Sequence, residues 1–173
     1  MRTLATTAAA LAALAMLAAG AGSSSASTLP GSSSGTAAAV KFSGCLVTND
    51  DTGGIHDGSL NQLSWRGMKA AAATEPSKIQ VRYLRSTTYA DYVPNIDSFI
   101  SEKCGIIVTV GSTMARATEL AAKAHPRFKF AIVGCSYQSH CLTGTKRKNI
   151  TAVKGTTKAV KTVVLNHRRH HKS

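Results

Sequence analysis

Ile106-Ile107-Val108-Thr109-Val110 is an almost unbroken apolar, mostly β-branched run, and Gly111 follows it at once. A half-exposed strand alternates polar and apolar residues. A run without alternation is buried on both faces, and such strands belong to parallel sheets sandwiched between helices. The flanking sequence supports that reading. Lys41 to Thr48 reads as another buried strand, Ile79 to Leu84 as an alternating one, and Phe128 to Val133 as a fourth. Between them lie stretches with helical spacing. Leu60, Leu63, Gly67, Met68, Ala71 and Ala72 mark one face, introduced by Ser59-Leu60-Asn61-Gln62, which fits a capping box. Ile96, Phe99, Ile100 and Cys104 mark a second, and Met114 to Ala124 is an Ala-rich third, stopped by Pro126. The order β-α-β-α-β-α-β with short connections predicts an α/β fold, a parallel sheet with helices on both faces. Aromatic content of only 5% agrees with a helix-covered sheet.

The ends of the chain read differently. Arg2 followed by the Ala/Leu-rich run Leu4 to Ala19 and then small residues predicts an export signal over 1–26, with cleavage after Ala21 or Ala26. The run is short for a membrane span. Residues 27–40 form a Ser/Gly/Pro-rich linker. The α/β lobe is expected over 41–137, and 138–173 reads as a basic, His-containing, disordered tail. Net charge is +13, but residues 141–173 carry nine Lys/Arg and no acid, so the basicity belongs mostly to that tail. Val160 to Leu165 is its one candidate strand.

In parallel sheets ligands bind beyond the carboxyl ends of the strands. Two loops qualify, Asn49 to Ser59 and Gly111 to Thr113. The first offers Asp50, Asp51 and Asp57, glycines that let backbone approach a ligand, and a helix N-terminus. No nucleophile elbow, phosphate-binding glycine loop or zinc-protease motif is present, so no catalytic residue and no cofactor is assigned. Cys135-x4-His140-Cys141 has too few ligands for an ordinary zinc site, and no metal site is assigned. In an exported chain the four cysteines are free to form disulfides. A Cys45–Cys104 pair requires the strands beside them to be neighbours; buried thiols are the equal alternative.

The stretch Asp51-Thr52-Gly53-Gly54-Ile55-His56-Asp57-Gly58-Ser59-Leu60-Asn61-Gln62, followed by Trp65 and Gly67, resembles the opening signature of the basic membrane protein family. These are the purine-nucleoside-receptor-like substrate-binding lipoproteins of ABC transporters. Asp91 to Ile96 with Cys104 to Gly111, and Ala121 to Val133, resemble two further blocks of it. The resemblance implies one lobe of a type I periplasmic-binding fold, an extracytoplasmic location, a purine nucleoside as ligand and a transporter permease as partner. Carried over by position, Asp51, Thr52, Gly53, Gly54, Ser59, Leu60, Asn61 and Gly111 would form the ligand site.

There are departures from the family pattern. Leu60 stands where members carry a phenylalanine suited to stacking, a loss worth about 1–3 kcal/mol by analogy with base stacking. Arg116 stands where an acid follows the strand-ending glycine, and Gly134 where an aspartate ends the next strand. Ala21 occupies the place of the lipidated cysteine. The likeness is expected to stop near Tyr137, in a chain about half the usual receptor length, which reads as a truncated copy with weakened or lost binding. The rival expectation is a cationic exported protein whose basic tail binds nucleic acid or anionic surfaces.

Overall fold

The computed structural model describes residues 41–49 and 54–171. The expected export signal and linker, together with Asp50 to Gly53, lie outside the described residues. Five strands, β1 (Phe42–Val47), β2 (Ile79–Leu84), β3 (Ile106–Val110), β4 (Phe130–Val133) and β5 (Ile150–Val153), form one sheet in the order β2-β1-β3-β4-β5. Every neighbouring pair is parallel. Four helices cover it: α1 (Leu60–Thr74), α2 (Tyr92–Ser101), α3 (Ala115–Ala124) and α4 (Thr157–His170). The expected fold class is the observed one, with one strand and one helix more than the sequence reading had.

The register explains the unalternating strands. Cys45, Ile107, Phe130 and Ile150 stand side by side in one row across the sheet. Their side chains join Tyr92, Ile96 and Phe99 of α2 and Ala115 and Ala122 of α3 in one core. The next row, from Leu46 through Val108 to Ala131, points the other way, to Met68 and Ala71 of α1 and Val160, Val163 and Val164 of α4. Each strand therefore feeds two cores, which is why β3 cannot spare a position for a polar face. Its one hydroxyl, on Thr109, is buried and bonded to the Thr118 hydroxyl of α3 at 2.8 Å.

The expectation of a disordered tail over 138–173 is corrected. Ile150–Val153 pairs with β4 along its whole length, and α4 packs across α1 with Val160 and Val164 fully buried. The stretch expected as a strand, Val160 to Leu165, is helical. Val160, Val163 and Val164 lie at i, i+3 and i+4, one helix face, while Lys158 and Arg169 point to solvent. The Thr156 side chain accepts from the Ala159 N–H and caps the start. β-branched valines favour strands in isolation, but three on one face over an open apolar surface make a packed helix.

All four cysteines are spent in disulfides. Cys45–Cys104 spans 59 residues and ties β1 to the turn entering β3, its neighbour in the sheet. Cys135–Cys141 spans six and closes the loop after β4. The Cys135/His140/Cys141 metal alternative is thereby removed. Among the described residues no group of three or more His, Cys, Asp or Glu gathers at a point. Among them, too, no helix is long and apolar enough to cross a membrane.

Candidate ligand-binding site

In a sheet of order 2-1-3-4-5 the chain reverses direction between β1 and β3, and the crevice opens beyond their carboxyl ends. Asn49 leaves β1 there and Gly111 leaves β3 there. Asn49 is fixed from below. The Asn61 side-chain N–H donates to Asn49 Oδ1 at 2.6 Å, and Asn49 N–H donates back to Asn61 Oδ1 at 3.3 Å. From the other side, Gly111 has a φ of +82°, and a Cβ on it would lie 3.0 Å from Asn49 Nδ2. Glycine at 111 thus serves both a left-handed turn and a close approach.

Asn61 is fully buried, and its amide is committed to Asn49. It was expected to face a ligand; here it orients Asn49, which keeps a small exposed surface of 8%. Asn49 was legible only as one polar residue of a loop. A polar residue that directly follows a buried strand and faces a buried amide in the next helix was the signal that could have singled it out.

Ser59 is the N-cap of α1, its side chain accepting from Asn61 N–H at 3.2 Å. The expected reciprocal partner is shifted: Gln62 Oε1 accepts from Gly58 N–H at 2.8 Å, while Ser59 N–H donates to Asp57 Oδ1 at 2.9 Å. Hydrogen bonding from Ser59, first from its side chain and then from its backbone N–H, holds the Asp57 carboxyl below its usual pKa. Gly54 is buried with φ +61°, beside the Arg85 side chain at the end of β2. Asp51, Thr52 and Gly53 lie outside the described residues.

Leu60 and Gly134 form one packing solution. A Cβ at Gly134 would lie 2.6 Å from Leu60 Cδ2, and one at Gly155 2.6 Å from Leu60 Cδ1. A side chain at 134 would press on the Leu60 methyl groups, and the φ of +74° there also favours glycine. Arg116, the third departure, is exposed on the first turn of α3. Beyond Gly134 a cleft of about 480 Å³ opens at the carboxyl ends of β4 and β5, lined by Ser136, Gln138, Ser139 and Lys154 among others. Sequence reasoning missed it because Lys154 was placed in the tail. Cys135–Cys141 closes the loop that walls it, where Ser136 and Ser139 bond each other through their hydroxyls at 3.1 Å.

Other loops at this end are held by side chains. The Tyr92 hydroxyl donates to Thr113 Oγ1 at 3.1 Å, fastening the Gly111 loop to α2. Asp91 accepts from Thr87 N–H, Thr87 Oγ1–H and Thr88 N–H, and these bonds, chiefly those from Thr87, lower its pKa. Two signature residues are structural: Trp65 packs on Tyr83 with ring centroids 5.1 Å apart, and Gly67 lies under α4. The arrangement brings amides, hydroxyls and glycine backbone together with the charged Asp57, Arg85 and Lys154, a polar lining.

Comparison with known proteins places this geometry. The Bmp family model, described as ABC transporter substrate-binding protein PnrA-like, matches residues 46–161. The match runs past Tyr137, where the likeness was expected to stop, through β5 and into α4. The CD4+ T-cell-stimulating antigen of Listeria monocytogenes serovar 1/2a is 34% identical over 95 residues, 53% of this chain and 26% of that protein. The ABC transporter nucleoside-binding protein BmpA of Lactococcus lactis subsp. cremoris is 31% identical over 104 residues, 58% of this chain and 29% of that one. The chain thus spans under a third of the length of these curated relatives. A lipoprotein fragment from Peptoclostridium difficile 630 shares the fold with a TM-score of 0.60 at 19% identity, covering 73% of this chain and 98% of the fragment. A solute-binding protein of an ABC transporter system from Aeropyrum pernix K1 does so with a TM-score of 0.52 at 19% identity, covering 64% of this chain and 28% of its own. With the family model matching more than half of the chain, from β1 into α4, the chain belongs to the PnrA-like family of ABC transporter substrate-binding proteins.

Proposed function

We propose that this chain forms a ligand-binding lobe of an extracytoplasmic solute-binding protein serving an ABC importer, and that its ligand is a purine nucleoside. The observation that carries the reading is Asn49, held at the switch point by Asn61 and approached by the Gly111 backbone. The Asn49 side chain, with its Oδ1 accepting from Asn61, fixes the shape of this corner, where the Gly111 backbone comes close enough for a polar ligand to be gripped. Asp51, Thr52 and Gly53 complete the site in this reading, with Gly54, Ser59 and Leu60 leading into α1, whose N-terminal N–H groups favour electronegative atoms. Asn61 acts by positioning Asn49. The partner is a transporter permease, and the role is binding and delivery without covalent chemistry.

Thermal unfolding of the full chain with a panel of purine and pyrimidine nucleosides tests this. A ligand at about 100 times its dissociation constant adds about 2.7 kcal/mol of stability. The expected result is a shift with purine nucleosides that is lost in Asp51→Ala and in Asn49→Ala. A cooperative transition that no nucleoside moves would overturn the ligand assignment.

A further inference from the structure

Because all five strands are parallel, their amino ends and the carboxyl ends of all four helices meet at one pole of the lobe, opposite the candidate site. That pole is strongly cationic. Lys41 enters β1, Lys129 enters β4, Lys146-Arg147-Lys148 enters β5, and Arg169 stands on the last turn of α4. Contacts confirm that these segments converge. The His171 ring packs edge-on against Phe42 at 5.3 Å, and Asn149 Nδ2 donates to Ala122 O and His125 O at the end of α3.

Within this pole is a pocket of about 330 Å³ lined by Lys129, Lys146, Arg147 and Lys148, with Pro126, Thr145 and Asn149. No carboxylate lines it. Nearby acids are already engaged: Glu75 pairs with Arg168, Glu102 pairs with Arg82, and Glu119 accepts from Gly144 N–H at 2.8 Å. Among the described residues, Lys129 and Lys146 to Lys148 form no ion pair. Part of this charge answers the helix C-termini. Four cations around one concavity exceed that need, since the α3 carbonyls there are already capped by the Asn149 amide.

We propose that this pole docks on an anionic phospholipid surface, with the Lys129/Lys146/Arg147/Lys148 pocket seating a phosphate headgroup. The proposal rests on the extracytoplasmic reading above, which puts such a surface beside the protein. The chemistry favours a membrane over nucleic acid. Single strands of nucleic acid are held by basic grooves interleaved with aromatic platforms, and the exposed large apolar side chains of the described residues (Tyr83, Tyr89, Val93 and Leu120) include none from this pole's cationic segments. A duplex needs a basic face extended along its phosphates, whereas these cations gather round one concavity.

The experiment is vesicle co-sedimentation of the full chain, with phosphatidylglycerol and phosphatidylcholine in equal parts against pure phosphatidylcholine, at low and high salt. Both arms contain the apolar run Leu4 to Ala19, so the pure phosphatidylcholine arm measures what that run contributes. The variant is K129A/K146A/K148A, three exposed side chains, with Lys69→Ala on exposed α1 surface as control. Each juxtamembrane cation contributes about fivefold in binding, so the triple variant should weaken phosphatidylglycerol binding by roughly a hundredfold while Lys69→Ala does not. High salt should weaken the wild type similarly in direction. Circular dichroism confirms that the triple variant is folded. Three results would overturn the proposal: unchanged vesicle binding in the triple variant; duplex or single-stranded DNA bound in preference to vesicles; or stabilisation by inorganic phosphate with no vesicle binding, which would mark a small-anion site. Nucleoside shifts measured on the same samples report separately on the cleft, so failure of one reading is not mistaken for failure of the other.

Discussion

The two helical layers grip the same sheet by different means. On one side α2 and α3 close over Phe99 and Phe130, and Cys45–Cys104 adds a covalent tie between β1 and the entry to β3. On the other, α1 and α4 share no disulfide, though polar contacts such as Arg168–Glu75 and Thr157 to the Leu63 carbonyl join them, and their approach depends on a missing side chain. A Cβ on Gly67 would lie 2.6 Å from Val160 Cβ and 2.7 Å from the Thr157 carbonyl oxygen. The linked layer adds to its packing a restriction of the unfolded chain. The unlinked layer is secured in the folded state alone, by a crossing with no room for one methyl group.

The difference can be broken experimentally. Removing the long link in C45A/C104A should cost about 4 kcal/mol, because it frees a 59-residue loop in the unfolded state. Urea unfolding should then show a steeper denaturant dependence as well as a lower midpoint, since the freed chain exposes more surface. Gly67→Ala should cost about 3 kcal/mol, the upper end of overpacking, because one of the atoms it meets is backbone. Its midpoint should fall with the slope unchanged. If both variants changed the slope alike, the distinction between layers would fail. Combined, they should add to within about 0.5 kcal/mol, because the sheet separates them; strong coupling would mean that the two cores act as one.

Smaller effects sharpen the picture. C135A/C141A frees a loop of only six residues, and the same relation gives about 2 kcal/mol. It should also loosen the wall of the β4–β5 cleft, read as faster amide exchange in residues 136–140 than in β4 itself. Smallest is Asp91. Its folded pKa lies below the ordinary 3.8, so its bonds to Thr87 and Thr88 stabilise the fold above that value and are lost as pH falls through the folded pKa. Asp91→Asn should therefore be less stable than wild type at neutral pH. The gap should narrow below pH 3.8, as seen in acid titration followed by circular dichroism. A gap independent of pH would assign the loss to packing.

The linked layer was legible in the sequence because its signals are local. Ile96, Phe99 and Ile100 repeat at helical spacing, and the Ile106–Val110 run has no polar face to offer. The unlinked layer was half legible. α1 announced itself, but α4 did not, since three valines among lysines, arginines and histidines suit a strand or a solvated tail equally well. Only the uncovered surface of Leu46, Val108 and Ala131 decides the matter, and that surface exists only once the sheet is assembled. β5 hid for a related reason: Ile150-Thr151-Ala152-Val153 buries its ends and exposes its middle, a pattern of neither period. In the site, the glycine-rich motif and the Ser59 cap were readable, while the Asn49–Asn61 bond was not. Residues 12 apart reveal no mutual orientation until a helix start is brought beside a strand end.

The order of the elements along the chain has a consequence for emergence from a ribosome or an export channel. α4 follows every strand, yet it covers a face first assembled by β1, β3 and β4. Between the arrival of β4 and that of Val160 to Val164, the nascent lobe carries an apolar surface with half its roof missing. That interval is the point at which it is most exposed to misassociation or to capture by a holdase. A pause in synthesis or transit would do the most harm there, with α3 out and α4 still withheld.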